Sequence, residues 1–146
     1  MIRVLISGCN GHMGQIVAQL CSENPDVEIA AGINRTPIQK NDFPVYSDPM
    51  EFPGEADVLI DFSNPANLTA LLRYCTEKKM PAVLCTTGYS AEQIREIEAA
   101  AQVVPMFRSG NMSLGINLLM KLLKEAAVKL AGDGFDVEIV EKHHNQ

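Results

Sequence analysis

The stretch SGCNGHMG, Ser7 to Gly14, most restricts what this chain can fold into. The short apolar run Arg3–Ser7 leads into it. His12–Glu23 leaves it with helical spacing through Met13, Ile16, Val17 and Leu20. The first pattern is that of a buried strand and the second that of an amphipathic helix. Glycines joining the two, here Gly8, Gly11 and Gly14, suit the opening of a βαβ unit. Gly8 permits a tight turn, Gly11 a close approach of backbone to a pyrophosphate, and Gly14 close packing of helix on strand. The helix start then offers free N–H groups and a positive dipole end. A glycine turn alone can be purely structural, but the context on both sides favours dinucleotide binding.

The same alternation continues along the chain. Val27–Ile33 reads as a second strand, and residues 36–55, with four prolines, as mostly loop with one short helix. Asp57–Phe62 is a third strand. Asn64 as cap and Pro65 as first helical residue start a helix reaching about Lys79. Ala82–Thr87 is a fourth strand, followed by a helix with Ser90 and Gln93 as a capping box. Val103–Phe107 is a fifth strand, its proline suiting an edge or a strand start. Leu114–Ala131 is a helix with one apolar face (Ile116, Leu119, Leu122, Leu123, Ala126 and Leu130), and Gly132 is its expected stop. Asp136–His144 alternates with period two and reads as a last strand. Strand and helix in regular alternation predict an α/β fold of Rossmann type, a doubly wound parallel sheet with helices on both faces.

In such a sheet, ligands bind beyond the carboxyl ends of the strands. Asn34 and Arg35 follow the second strand about 20 residues after the last loop glycine, where an NAD-binding protein places an acidic residue for the ribose hydroxyls. Asn34 carries no charge to repel a 2′-phosphate, and Arg35 offers a fork of N–H donors to one. NADPH is therefore expected to bind at least as well as NADH, the alternative for Arg35 being a solvated surface side chain. Three further polar clusters close predicted strands: Asp61–Pro65, Cys85–Tyr89 and Arg108–Asn117. Each suits caps and turns taken singly. Together, on one rim with the glycine loop, they suit a cofactor and a small polar substrate.

Other chemistries are disfavoured. The net charge of −6 without a Lys/Arg stripe argues against nucleic acid. No apolar run is long enough for a membrane span or a signal peptide. Cys9, Cys21, Cys75 and Cys85 form no CxxC pair and match no zinc spacing, so free thiols in a reducing cytoplasm are expected and no metal. No G-x-S-x-G elbow supports a serine nucleophile.

With the glycine loop, IDFSNP (Ile60–Pro65), TTG (Thr86–Gly88), NMSLGIN (Asn111–Asn117) and VEIVEKHH (Val137–His144) in this order, the chain resembles the N-terminal part of the 4-hydroxy-tetrahydrodipicolinate reductases. These serve lysine and diaminopimelate synthesis in bacteria and plants. The resemblance implies an NAD(P)H-dependent reductase of a cyclic imine dicarboxylate. Gly8, Cys9, Asn10, Gly11, His12 and Met13 would hold the pyrophosphate, and Asn34 and Arg35 the adenosine ribose. Cys85, Thr86, Thr87, Ser109, Gly110, Asn111 and Met112 would lie along the nicotinamide. His143 would be the acid/base residue, a role suited by a side chain that titrates near neutrality. His144 and Thr87 would meet substrate. Residues 1–135 would be the dinucleotide-binding domain and 136–146 the start of a substrate and tetramerisation domain.

This sequence departs from the family where acidic residues are common (Asn34), where Arg or Lys is common (His12) and where glycine is frequent (Cys85). The family's K-x-D-A-P-S-G-T segment, with its second catalytic lysine, does not appear. The expectation is a truncated chain, inactive or severely impaired alone, whose full-length form is a homotetramer. Two other readings stay open: a non-catalytic NAD(P)-binding module or regulatory subunit, and a different dehydrogenase of the same shape.

Overall fold

A computed structural model describes residues 1–140. The first compact unit is Met1–Gly110, and the described residues from Asn111 onward form a second. In the first unit the strands are β1 (Ile2–Ser7), β2 (Val27–Ile33), β3 (Val45–Tyr46), β4 (Val58–Asp61), β5 (Ala82–Leu84) and β6 (Met106–Arg108). The helices are α1 (His12–Ser22), α2 (Leu68–Lys78) and α3 (Ala91–Ala100). The six strands pair in the order β3-β2-β1-β4-β5-β6, all parallel. From β1 the chain runs outward to β2 and β3, then returns to place β4 on the other side. The strand order therefore reverses between β1 and β4, where an open α/β sheet leaves a crevice.

Alternation along the buried strands divides the core between two faces. Leu5, Ala31, Leu59 and Leu84 pack with Leu68, Leu71, Leu72 and Cys75 of α2 and Ile97 and Ala100 of α3. Val4 and Ile6 pack with Cys9, Ala18 of α1 and Phe43 on the other face. Helices thus cover both faces, as the α/β reading expects.

Local signals set several element starts. Ser90 accepts from Gln93 N–H while the Gln93 side chain accepts from Ser90 N–H, forming the expected capping box. Asn64 caps a single 3-10 turn, Pro65–Asn67, that leads into α2. Residues 36–55 hold, besides loop, the two-residue strand β3 and a 3-10 turn, Pro49–Glu51.

Several boundaries differ from the sequence reading: β5 ends at Leu84 rather than Thr87, and α2 begins at Leu68 rather than Pro65. β6 begins at Met106 rather than Val103. Val103 and Val104 donate to Ala100 O and so close the end of α3, and Pro105 has no N–H to give a ladder. The helix of the second unit, α4 (Leu114–Gly132), runs through Gly132 instead of stopping there. Its stop is Gly134, at φ 82°, with Phe135 N–H on Leu130 O and Gly134 N–H on Ala131 O. Residues 136–140 form no strand, because period-two alternation supplies a face but no partner, and none of the six strands pairs with them. The remainder of that predicted strand, 141–144, lies outside the described residues. The predicted apolar face of α4 is present, with Ile116, Leu119, Leu122, Leu123 and Leu130 all exposed.

Candidate dinucleotide site

The glycine loop is built by close backbone approach. Gly8 lies at φ 78°, and a Cβ there would stand 2.5 Å from Phe62 O. It is therefore a position for glycine on both counts. Gly14 sits in the first turn of α1, where a Cβ would overlap the Gly8 carbonyl. Gly11 N–H donates to Gly8 O at 2.9 Å, and Gln15 Nε2 donates to Cys9 O at 2.6 Å. The Asn10 amide donates to Ile38 O at 2.9 Å, and Lys40 Nζ to Asn10 O at 3.3 Å, tying the loop to the chain after β2. No side chain caps the start of α1, and its first turn holds no acidic residue. Its leading N–H groups and positive dipole end therefore suit an anion.

A crevice of about 430 Å³ opens at this rim, at the β1/β4 reversal. Gly8, Gly11, Asn34, Arg35 and Thr36 line one side and Phe62, Ser63, Asn64, Ala66 and Asn67 the other. Asn34 is oriented by donation from its amide to Thr36 O at 2.9 Å. Arg35 is exposed, and among the described residues no ion pair engages it. It also borders a smaller cavity of about 200 Å³ with Ser47, Asp48 and Asn67. Ser63 Oγ is buried, without a hydrogen-bond partner among the described residues. An orphaned polar atom in a polar crevice suits a ligand or an ordered water.

The sequence-predicted residues divide. Gly8, Gly11, Asn34 and Arg35 meet in the crevice. His12 instead borders a separate cleft with Gln15, Gln19 and Lys40. Cys9 is fully buried in the core, so its side chain faces away from any ligand. Met13 is exposed on α1. Cys85 and Thr86 are buried at the end of β5, whereas Thr87 is exposed. A Cβ on Gly110 would stand 3.6 Å from Thr87 Cγ2, so the segment Ser109–Gly110 runs beside Thr87. Asn111 and Met112 belong to the second unit, where Asn111 Oδ1 accepts from Ser113 N–H and Ser113 caps α4. His143 and His144 lie outside the described residues. A concavity of about 820 Å³ lies on one flank of α4 between Lys121 and Lys129, with no convergence of elements to form a site.

One residue of the rim does more than its place in a polar cluster suggests. Asp61, the last residue of β4, has no exposed surface. Its Oδ2 accepts from Thr86 Oγ1 at 2.8 Å and from the Tyr89 hydroxyl at 3.2 Å, and its Oδ1 accepts from Ser63 N–H at 3.2 Å. Burial, then the negative charge of Asp61, holds the Tyr89 phenol above its ordinary range. The same two causes push the Cys85 thiol up to about 11. The available signal was an acidic residue inside the apolar run DVLIDF, where a strand buried on both faces has no water to offer it.

Comparison with known proteins places this geometry in a family. The family described as dihydrodipicolinate reductase, N-terminus, matches residues 2–112. The chain is 52% identical over 145 residues to the 4-hydroxy-tetrahydrodipicolinate reductase of Caldanaerobacter subterraneus, covering 99% of this chain and 57% of the relative. It is 48% identical over 146 residues to that of Clostridium tetani, again covering 57% of the relative. The chain thus spans less than two thirds of the length of these curated relatives. Among solved structures it resembles the dipicolinate-bound dihydrodipicolinate reductase from Paenisporosarcina sp. TG-14, with TM-score 0.73 and 25% identity over 87% of this chain and 54% of that one. The WlbA dehydrogenase from Chromobacterium violaceum, solved with NADH and UDP-GlcNAcA, shares the fold alone, with TM-score 0.66 and 17% identity over 88% of this chain and 40% of that one.

Proposed function

The chain belongs to the dihydrodipicolinate reductase family, and from that premise we propose that it is the cofactor-binding part of an NAD(P)H-dependent reductase acting on 4-hydroxy-tetrahydrodipicolinate. The observation that carries the reaction is the 52% identity over 145 residues to a reductase of that name. The crevice at the strand reversal supports the cofactor.

The residues fit a dinucleotide. Backbone from Gly8 to Met13 and the uncapped start of α1 bind the pyrophosphate. Asn34 meets the adenosine ribose, and Arg35 pairs with a 2′-phosphate, so NADPH binds at least as tightly as NADH. The rim loops at Cys85–Thr87 and Ser109–Met112 border the nicotinamide half. When bound, the cofactor supplies hydride to the substrate ring. His143 delivers the accompanying proton, and His144 and Thr87 hold the substrate. Residues 1–135 act as the cofactor domain and 136–146 begin the substrate domain. The complete protein works as a homotetramer in the cytoplasm, a reducing setting that suits four free thiols. It uses no metal. The described residues contain no helix long and apolar enough to cross a membrane.

The test joins this chain to the C-terminal remainder of the Caldanaerobacter relative and follows NADPH absorbance. Consumption of NADPH that depends on the cyclic imine, and that falls by about 100-fold or more in His143→Ala, is expected. Tight dinucleotide binding without imine-dependent oxidation would overturn the reductase reading in favour of a binding module.

A further inference from the structure

We infer that Asp61 is a positioning residue of the dinucleotide site: its buried carboxylate ties the loop after β4 to the loop after β5 and so shapes the nicotinamide half of the crevice. The inference rests on the dinucleotide reading above.

Asp61 stands between β1 and β5, paired with Ser7 on one side and Leu84 on the other. It shares the α2–α3 face with Leu59, two residues back, and Tyr89 packs against the same core cluster. A buried carboxylate is expensive unless it is hydrogen-bonded. An apolar side chain would fill this place without that cost. What the carboxylate adds is direction, because it is satisfied only when Ser63 N–H, Thr86 Oγ1 and the Tyr89 hydroxyl converge on it. Ser63 belongs to the crevice wall. Thr86 and Tyr89 bracket Thr87 and Gly88, the exposed tip of the loop after β5. The carboxylate thus fixes the crevice wall at Ser63 together with the loop after β5, which on the dinucleotide reading borders the nicotinamide, without facing the ligand itself.

The sheet order says which half of the ligand feels this. Asn34 and Arg35, at the end of β2, lie on one side of β1, and β4 and β5 lie on the other. A dinucleotide laid across the reversal puts its adenosine over β2 and its nicotinamide toward β5. The Asp61 contacts therefore act on the nicotinamide half. One more bond spans the loops, from Gln93 Nε2 to Pro65 O at 2.7 Å, so Asp61 is not their sole tie.

The test compares two probes by calorimetry on the whole 146-residue chain: NADPH, and adenosine 2′,5′-bisphosphate, which carries only the adenosine end. Asp61→Asn keeps the volume and an oxygen for Ser63 N–H, but removes the charge and replaces the oxygen facing the Thr86 and Tyr89 hydroxyls with an N–H₂ that only donates, so both hydroxyls must turn from donor to acceptor. It is expected to weaken NADPH about tenfold and to leave the bisphosphate within about twofold. Tyr89→Phe removes a single donor, keeps the packing, and is expected to weaken NADPH about threefold with the bisphosphate again unchanged. It keeps the question answerable if Asp61→Asn does not fold. Equal weakening of both probes would assign Asp61 a general structural role and overturn the inference, as would wild-type affinity for both in either folded variant. Failure of the wild-type chain to bind either probe would overturn the inference together with the dinucleotide reading beneath it.

Discussion

Gly14 passes so close to Gly8 that a Cβ on Gly14 would overlap the Gly8 carbonyl oxygen. This contact sets how tightly α1 seats on the end of β1, and hence where the leading N–H groups of the helix point. Alanine in a helix gains about 1 kcal/mol over glycine. Here the clash is with backbone that no rotamer can relieve, and overpacking costs about 1–3 kcal/mol. The clash outweighs the propensity. Gly14→Ala should lower stability by up to about 2 kcal/mol and weaken NADPH by more than about tenfold, read by urea titration and calorimetry. A more stable variant with intact affinity would show that the loop does not need the close approach.

The proposed pairing of Arg35 with a 2′-phosphate is tested by comparing the two cofactors. Arg35→Ala should raise the NADPH Kd by about tenfold or more, a charge-assisted hydrogen bond being worth about 1.5–3 kcal/mol. The NADH Kd should change by less than about threefold. Asn34→Asp puts a negative charge where the 2′-phosphate would sit and should shift preference toward NADH. Equal effects on both cofactors would remove Arg35 from the 2′-phosphate.

At the opposite end of β1, the Arg3 side chain donates to Asp57 from Nη2 at 2.8 Å and from Nε at 3.2 Å, and Arg3 N–H adds a bond at 2.7 Å. These bonds hold the Asp57 carboxyl down at about 2, against an ordinary value of 3.8. A carboxyl lowered in the folded state contributes stability that is present above about pH 4 and lost as pH falls toward 2. Both side chains are partly exposed, so the contribution is small and screened by salt. Denaturation at low salt should show this loss across pH 4 to 2, and Asp57→Asn should flatten it. A slope unchanged in the variant would assign the acid sensitivity elsewhere.

Three of the four thiols are buried. Burial, then the negative charge of Asp61, pushes Cys75 to about 12 and Cys85 to about 11, and burial also raises Cys9. Only the thiolate reacts, so alkylation at pH 7.5 should be slow at all three. Cys21, half-buried on α1, should be modified first, although burial raises its thiol as well. Mass mapping after brief iodoacetamide treatment checks this order. Rapid labelling of Cys75 would mean that the core opens readily around α2.

The sequence was most legible where structure is local. The loop between β1 and α1, the Ser90–Gln93 box and the Asn64 cap all depend on neighbours within a few residues. β3 was hidden because its pairing is long-range and its segment is rich in prolines. Gly32 N–H reaches Pro44 O and Asn34 N–H reaches Tyr46 O, with no periodic run to announce them. Asp61 was visible as a residue but not as a hub, because its two hydroxyl partners lie 25 and 28 positions further along. Nothing in a linear pattern says that Thr86 and Tyr89 turn inward rather than toward a ligand. The predicted strand at 136–144 had the right alternation, but a strand is completed by its partner, and residues 136–140 meet none.

The central claim is that this chain holds a dinucleotide across the β1/β4 reversal. Isothermal titration of the 146-residue chain with NADPH, beside a circular dichroism spectrum of the same sample, tests it most directly. The account predicts saturable one-to-one binding by a folded chain, lost or weakened by more than about tenfold in Gly14→Ala. A folded chain that shows no saturable binding of NADPH or NADH would contradict it.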